Sequence, residues 1–291
     1  MRPETRPGFD PALLTTTPGD LMTDSRPADF TMLRLTRDEA VATITLARPE
    51  RLNAAPPQMF VELHQALQRV RDCGARALVI TGEGRAFCSG ADLSGRGDLA
   101  SAGARGARTF RALTEVYGPA MQALAQLPLP VVAAVNGPAA GIGCSLALAC
   151  DIVLAGRSAY FLEAFVNIGL VPDGGASWML PRLVGKARAA AMMMLGERIG
   201  ADQAESWGLI WKAVDDADLM PQAQALATRL ASGPTRALGL MRQGLARALE
   251  QSYTEAMATE AAHQMIAADS DDALEGGAAF LQRRKPQFKG R

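Results

Sequence analysis

The sequence has few of the residues that build metal centres: two histidines, His64 and His263, and four cysteines, Cys73, Cys88, Cys144 and Cys150, in 291 residues. No two of these cysteines form a CxxC pair and both histidines lie far from them, so the spacing of a zinc site is missing. Four scattered cysteines suit a reducing cytoplasm better than a secreted disulfide scaffold. An excess of charge is lacking as well. Thirty Lys and Arg balance 30 Asp and Glu, so no global field draws the chain to nucleic acid or to an anionic membrane. An anionic ligand must be met locally. No apolar run reaches the roughly 20 residues of a membrane span, since Val131 to Ala155 is broken by Asn136, Gly137, Pro138 and Asp151. The stretch from Met1 to Asp29 carries five prolines and no apolar core of a signal peptide. Its composition predicts a disordered extension.

The rest of the chain reads as a folded α/β protein. Thr31 to Leu35 and Val41 to Leu46, separated by Arg37-Asp38-Glu39, form an expected antiparallel hairpin. Pro56 and Pro57 open a helix whose Phe60, Leu63, Leu67 and Val70 fall on one face. Strands are expected at Ala77 to Thr81, Val131 to Val135 and Ile152 to Ala155. A helix bearing Phe110, Leu113, Tyr117, Ala120 and Leu124 lies between the first two. This alternation indicates parallel βα units. After Gly185 the pattern turns mostly helical, interrupted by a strand at Leu209 to Val214. We therefore divide the chain into an extension, 1–30, an α/β core, 31–215, and a helical C-terminal region, 216–291.

Two segments carry chemistry. In Phe87-Cys-Ser-Gly-Ala-Asp-Leu93, Gly90 and Ala91 sit in a turn after a strand, where backbone N–H groups can face outward. In Val135 to Asp151, Gly141 and Gly143 let a ligand approach the backbone, and Ile142 starts a helix whose first N–H groups lack internal partners. The lysine of a phosphate-binding loop is absent. Two N–H groups converging on one oxygen make an oxyanion hole, each donor worth on the order of 10² to 10³ in rate.

The segments FCSGADL, LPLPVVAAVNGPAAGIGCSLALACDIVLA and FVNIGLVPDGGASWMLPRLVG, in this order, resemble the successive signatures of the enoyl-CoA hydratase/isomerase, or crotonase, family. RPERLNA and ADQAESWGLIWKAVDD fit as well, and the resemblance runs from about Met32 to Arg291. It implies a ClpP-like spiral of ββα units with a helical C-terminal trimerisation region, assembled as a homotrimer or a dimer of trimers. It also implies an acyl-CoA thioester substrate and no separate cofactor. On this chain the implied carbonyl-holding amides are those of Ala91 and Ile142. Asn53, Ala54, Ser89, Gly90, Asp92, Leu93 and Gly141 would line the thioester site. Lys289, in the basic tail with Arg283, Arg284 and Lys285, would reach the CoA phosphates.

Relatives in this family share the oxyanion hole and differ in their acid and base groups, so the side chains must decide the reaction. The positions that carry glutamates in hydratases align with Ser145 and Phe165, neither of which activates water. Glu163 stands two residues out of register from the second. Asp173, in LVPDGG, matches the acidic residue of the 1,2-epoxyphenylacetyl-CoA isomerase branch of the family, in phenylacetate catabolism, and of some double-bond isomerases. The expected function is therefore isomerisation of an acyl-CoA by one aspartate and an oxyanion hole. A broad-specificity enoyl-CoA hydratase and a catalytically silent CoA-binding subunit are the alternatives. Read without the resemblance, Asp173 is an N-cap for the helix that follows. The family's LNAL-type continuation is replaced by Pro56-Pro57.

Overall fold

The computed structural model describes residues 30–94 and 102–291. Of the N-terminal extension only Phe30 is described, and residues 95–101 lie outside the described residues. Strands β1 (Leu33–Asp38) and β2 (Val41–Leu46) form the expected hairpin, turning through Glu39 at φ 47°. β1 runs further than the hydrophobic pattern indicates. It is a sheet edge, and Arg37 and Asp38 extend the ladder while staying in solvent.

Pro57 starts α1 (Pro57–Asp72), where its missing N–H costs nothing. Next come β3 (Ala77–Gly82), then α2 (Ala102–Ala112), a π-helical turn at Leu113–Tyr117 and α3 (Gly118–Ala125). The sequence suggested one regular amphipathic helix across these last three. The Gly118 N–H instead bonds the Leu113 carbonyl, five residues back, beside Pro119, which has no N–H to give. The wider turn rotates the face, so Tyr117, Ala120 and Leu124 are buried while Phe110 is 68 % exposed.

The chain continues through β4 (Val131–Val135), β5 (Ala139–Ala140), α4 (Ile142–Leu148), β6 (Ile152–Gly156) and β7 (Tyr160–Leu162). Helix α5 (Ala176–Leu195) is broken at Gly185, whose φ of 75° and ψ of 163° are not helical. Then follow β8 (Ile199–Gly200), α6 (Ala201–Trp207), β9 (Lys212–Val214) and four helices, α7 (Leu219–Ala231), α8 (Thr235–Ala248), α9 (Tyr253–Ala268) and α10 (Asp271–Leu281).

The main sheet has the order β1-β2-β3-β4-β6-β9, parallel from β2 onward. Its strands are buried on both sides, which is why they read as continuous apolar runs. One face packs under α1, α3 and α4; the other is covered by Leu219, Ala223, Ala227 and Ala231 of α7. A second sheet, β5-β7-β8, is joined by single-residue bridges from Cys88 to Ala139 and from Ala55 to Ala91. These short ladders escaped sequence reading, and they position the site. Among the described residues no helix is long and apolar enough to cross a membrane.

Candidate active site

The parallel bridge between Cys88 and Ala139 sets the two chemical segments side by side, with Cys88 N–H on the Pro138 carbonyl and Ala140 N–H on the Cys88 carbonyl. Ala91 and Ile142 each stand three residues beyond that bridged pair, Ile142 past the end of β5. Ala91 is fixed from its other side. Ala55 N–H bonds the Gly90 carbonyl at 2.8 Å and Asp92 N–H bonds the Ala55 carbonyl at 3.1 Å, which turns the Ala91 N–H away from Ala55. Gly90 (φ 109°) and Gly141 (φ 52°, ψ −126°) take backbone conformations that side chains resist. Ile142 is the first residue of α4 and only 2 % exposed, so an oxygen reaching its amide would sit in a dry setting where hydrogen bonds are strong.

Gly143 holds α4 against the first segment. A Cβ there would lie 2.3 Å from the Cys88 carbonyl oxygen. Gly174, at φ 61°, does the same for the turn before α5, where a Cβ would lie 2.4 Å from Ile142 Cδ1. The Ser145 hydroxyl donates to the Asp173 carbonyl at 2.8 Å. The aspartate is thus anchored through its backbone to the helix that begins at Ile142.

Asp173 is not the N-cap residue of α5; that position is Gly175. The aspartate lines a cavity of about 780 Å³ with Leu113, Tyr117, Met121, Trp178 and Arg182 among its walls. The lining is mostly apolar, and Tyr117 ties it to the Ala55–Ala91 bridge by donating to the Ala55 carbonyl at 3.2 Å. Trp178 is 41 % exposed at the cavity rim, with its indole N–H on Glu250 and Arg182 over its ring. Ala91 and Ile142 lie outside this lining, and the Ile142 side chain approaches it at Gly174.

Where hydratases would carry glutamates, Ser145 is fully buried and Phe165 lays its ring against Gly141. Glu163 is also fully buried, and neither of its carboxyl oxygens has a hydrogen-bond partner. Burial pushes its pKa up from the ordinary 4.5 to about 7; the Cys144 thiol opposes this, and the charge of Asp173 adds a smaller push in the same direction as burial. Burial and the neighbouring Glu163 likewise push the Cys144 thiol well above its usual range.

The remaining candidates divide. Asn53 is buried at φ 55°, and its amide accepts from Arg48 N–H and donates to the Glu83 and Ala86 carbonyls, so the side chain braces the loop. Arg48 reaches the Ala54 carbonyl at 2.5 Å and pairs with Asp92 at 3.0 Å, joining the Ala54 loop to the Ala91 segment. Hydrogen bonds from Ser94, then Arg48, hold the Asp92 carboxyl down at about 2, so it is ionised. Ser89 N–H bonds the Leu52 carbonyl, and Leu93 is exposed at the end of the described segment. Pro56 and Pro57 follow the Ala55 bridge directly and start α1 without disturbing this arrangement.

Lys289 is not brought to this group. Its N–H and that of Gly290 bond the buried Asp272 carboxylate, while Arg76 holds the Phe288 carbonyl and Thr235. That dock is at the start of β3, whereas Ala91 and Ile142 lie beyond the far ends of β3 and β4. Within one chain, the tail and the oxyanion segments occupy opposite ends of the sheet.

A model of the enoyl-CoA hydratase/isomerase family matches residues 36–291. The chain is 44% identical over 260 residues, 87% of it and 97% of the relative, to the 1,2-epoxyphenylacetyl-CoA isomerase of Escherichia coli K12. It is 47% identical over 259 residues, 89% of it and 98% of the relative, to a Rhodobacter capsulatus protein named "Probable enoyl-CoA hydratase". Among solved structures, an enoyl-CoA hydratase from Polaromonas sp. JS666 superimposes with a TM-score of 0.83 at 33% identity, covering 88% of this chain and 99% of that one.

Proposed function

Since the chain belongs to the enoyl-CoA hydratase/isomerase family, and is an enzyme acting on CoA thioesters, we propose that its reaction is an isomerisation carried by Asp173. In this reading the thioester carbonyl oxygen accepts hydrogen bonds from the Ala91 and Ile142 N–H groups. Charge building on that oxygen is then met by fixed dipoles, and the adjacent carbon becomes acidic. Asp173 removes a proton there or from the allylic system beside it and returns the proton elsewhere. No water enters the balance. The favoured substrate is ring-1,2-epoxyphenylacetyl-CoA, whose epoxide opens toward the seven-membered oxepin; a 3-enoyl-CoA shifted to its 2-enoyl isomer is the related case.

The observation that carries this reading is what surrounds Asp173. Asp173 lines a mostly apolar cavity, while the two positions that would handle water hold a hydroxyl engaged with backbone and a phenyl ring. The name of the Rhodobacter capsulatus relative favours hydration as a second reading. The two are separated by products. Wild-type enzyme is expected to convert ring-1,2-epoxyphenylacetyl-CoA or a 3-enoyl-CoA to its isomer with little 3-hydroxyacyl-CoA formed from crotonyl-CoA. Rapid hydration of crotonyl-CoA with no isomerisation would replace this reading by the second.

A further inference from the structure

Glu163 stands where an apolar residue would be more stable. It is fully buried, both carboxyl oxygens lack a hydrogen-bond partner, and a buried polar group without partners costs several kcal/mol. The backbone fixes its place. Leu162, just before it, pairs with Ala140 in the β5–β7 ladder and accepts the Gly141 N–H at 2.8 Å, so Glu163 emerges directly behind the turn that presents Ile142. Two titratable groups face it. One is the Cys144 thiol of α4; the other is Asp173, in the turn that Ser145 of the same helix holds.

We propose that Glu163 is a positioning residue for Asp173: as the neutral acid it lets Asp173 carry the one negative charge of the pair, and on ionising it makes that carboxylate a stronger base. This deepens the isomerase reading and rests on Asp173 being its acid and base. Two carboxyls that sense each other in a dry site titrate as a unit, the first charge raising the proton affinity of the second. Burial is the main cause that puts the Glu163 transition at about 7, with the Asp173 charge a lesser contribution, so the switch falls where an enzyme near neutrality would feel it. Glu163 has no exposed surface, so it acts through Asp173 and not on the substrate.

The test has two arms. In pH-difference infrared spectra, wild type should lose a protonated-carboxyl band between about pH 6 and 8 that Glu163→Gln lacks, and Asp173→Asn should shift that midpoint to lower pH. In kinetics on ring-1,2-epoxyphenylacetyl-CoA and a 3-enoyl-CoA, the kcat/KM profile of wild type should bend near neutrality and that of Glu163→Gln should not. Glu163→Met, which suits the apolar site, stands in if Glu163→Gln fails to fold. A midpoint unmoved by Asp173→Asn overturns the proposal. So does a Glu163→Gln profile that superimposes on wild type while Asp173→Asn is inactive, an outcome that leaves the isomerase reading standing. Wild-type turnover by Asp173→Asn overturns the acid/base assignment itself, and the proposal with it.

Discussion

At the scale of single residues, the site is built by side chains that are too small or too buried to touch a ligand. Gly143 and Gly174 keep Cys88, Ile142 and Ser145 in contact, and any Cβ would push them apart. Glu163 works the other way, since it makes the fold less stable as pH rises. Its folded-state acidity, about 7, lies above the ordinary 4.5, so between these values the folded protein holds a proton that the unfolded chain has released. Stability from this group is full below about pH 4.5, falls as pH rises toward 7 and is level beyond. At 1.36 kcal/mol per unit the loss is at most about 3 kcal/mol. Denaturant titrations from pH 5 to 8 should show this slope in wild type and its absence in Glu163→Met. Equal slopes in the two proteins would mean that Glu163 ionises freely in the folded state.

Elements carry the next level of organisation, and α4 is central among them. Its first residue offers the Ile142 amide, Gly143 packs on Cys88, Cys144 faces Glu163, and Ser145 anchors Asp173. Removing the Ser145 hydroxyl should release the Asp173 turn from that helix. We predict that Ser145→Ala costs about 1 kcal/mol of stability and lowers kcat more than it raises KM, because the base is misplaced while the thioester is still held. A mutant with unchanged kcat would show that the turn is fixed by other contacts. Much at this level was legible in advance. The helical spacing of Phe60, Leu63, Leu67 and Val70 survived into α1, and Pro57 marked its start. What escaped was short or cooperative. The two-residue strands β5 and β8 have no period to detect, and the π turn at Leu113–Tyr117 turned Phe110 to solvent against its apolar pattern. In the site, Asp173 and the paired glycine segments were readable because their types and order are unusual. The bracing role of Asn53 depends on carbonyls 30 and 33 residues away, and the surroundings of Glu163 on Cys144 and Asp173 in two other elements, which no local pattern reveals.

For the whole molecule, the C-terminal helices present a surface that a lone domain rarely shows. Met241, Leu245 and Leu249 of α8 or its end, and Met257 and Met265 of α9, are each more than half exposed, and a groove of about 820 Å³ runs between the two helices. Contiguous apolar patches of this kind mark interfaces. The account predicts self-association through this face, in multiples of three chains. Met257→Lys should therefore shift sedimentation toward the 30.7 kDa monomer without unfolding it. A mutant that sediments as wild type does would place the interface elsewhere. Such assembly would also give the tail bearing Lys289, remote from the oxyanion segments of its own chain, a route to those of another.

The central claim is that one carboxylate, that of Asp173, moves the proton. Its most direct test is turnover of ring-1,2-epoxyphenylacetyl-CoA by purified wild type and Asp173→Asn, with thioester binding and thermal melting measured on both. Because Asp173 is not the N-cap residue of α5, the variant should fold and bind much as wild type does while kcat falls by a factor on the order of 10² to 10⁴. A folded variant that binds the thioester and turns it over at the wild-type rate would contradict the account.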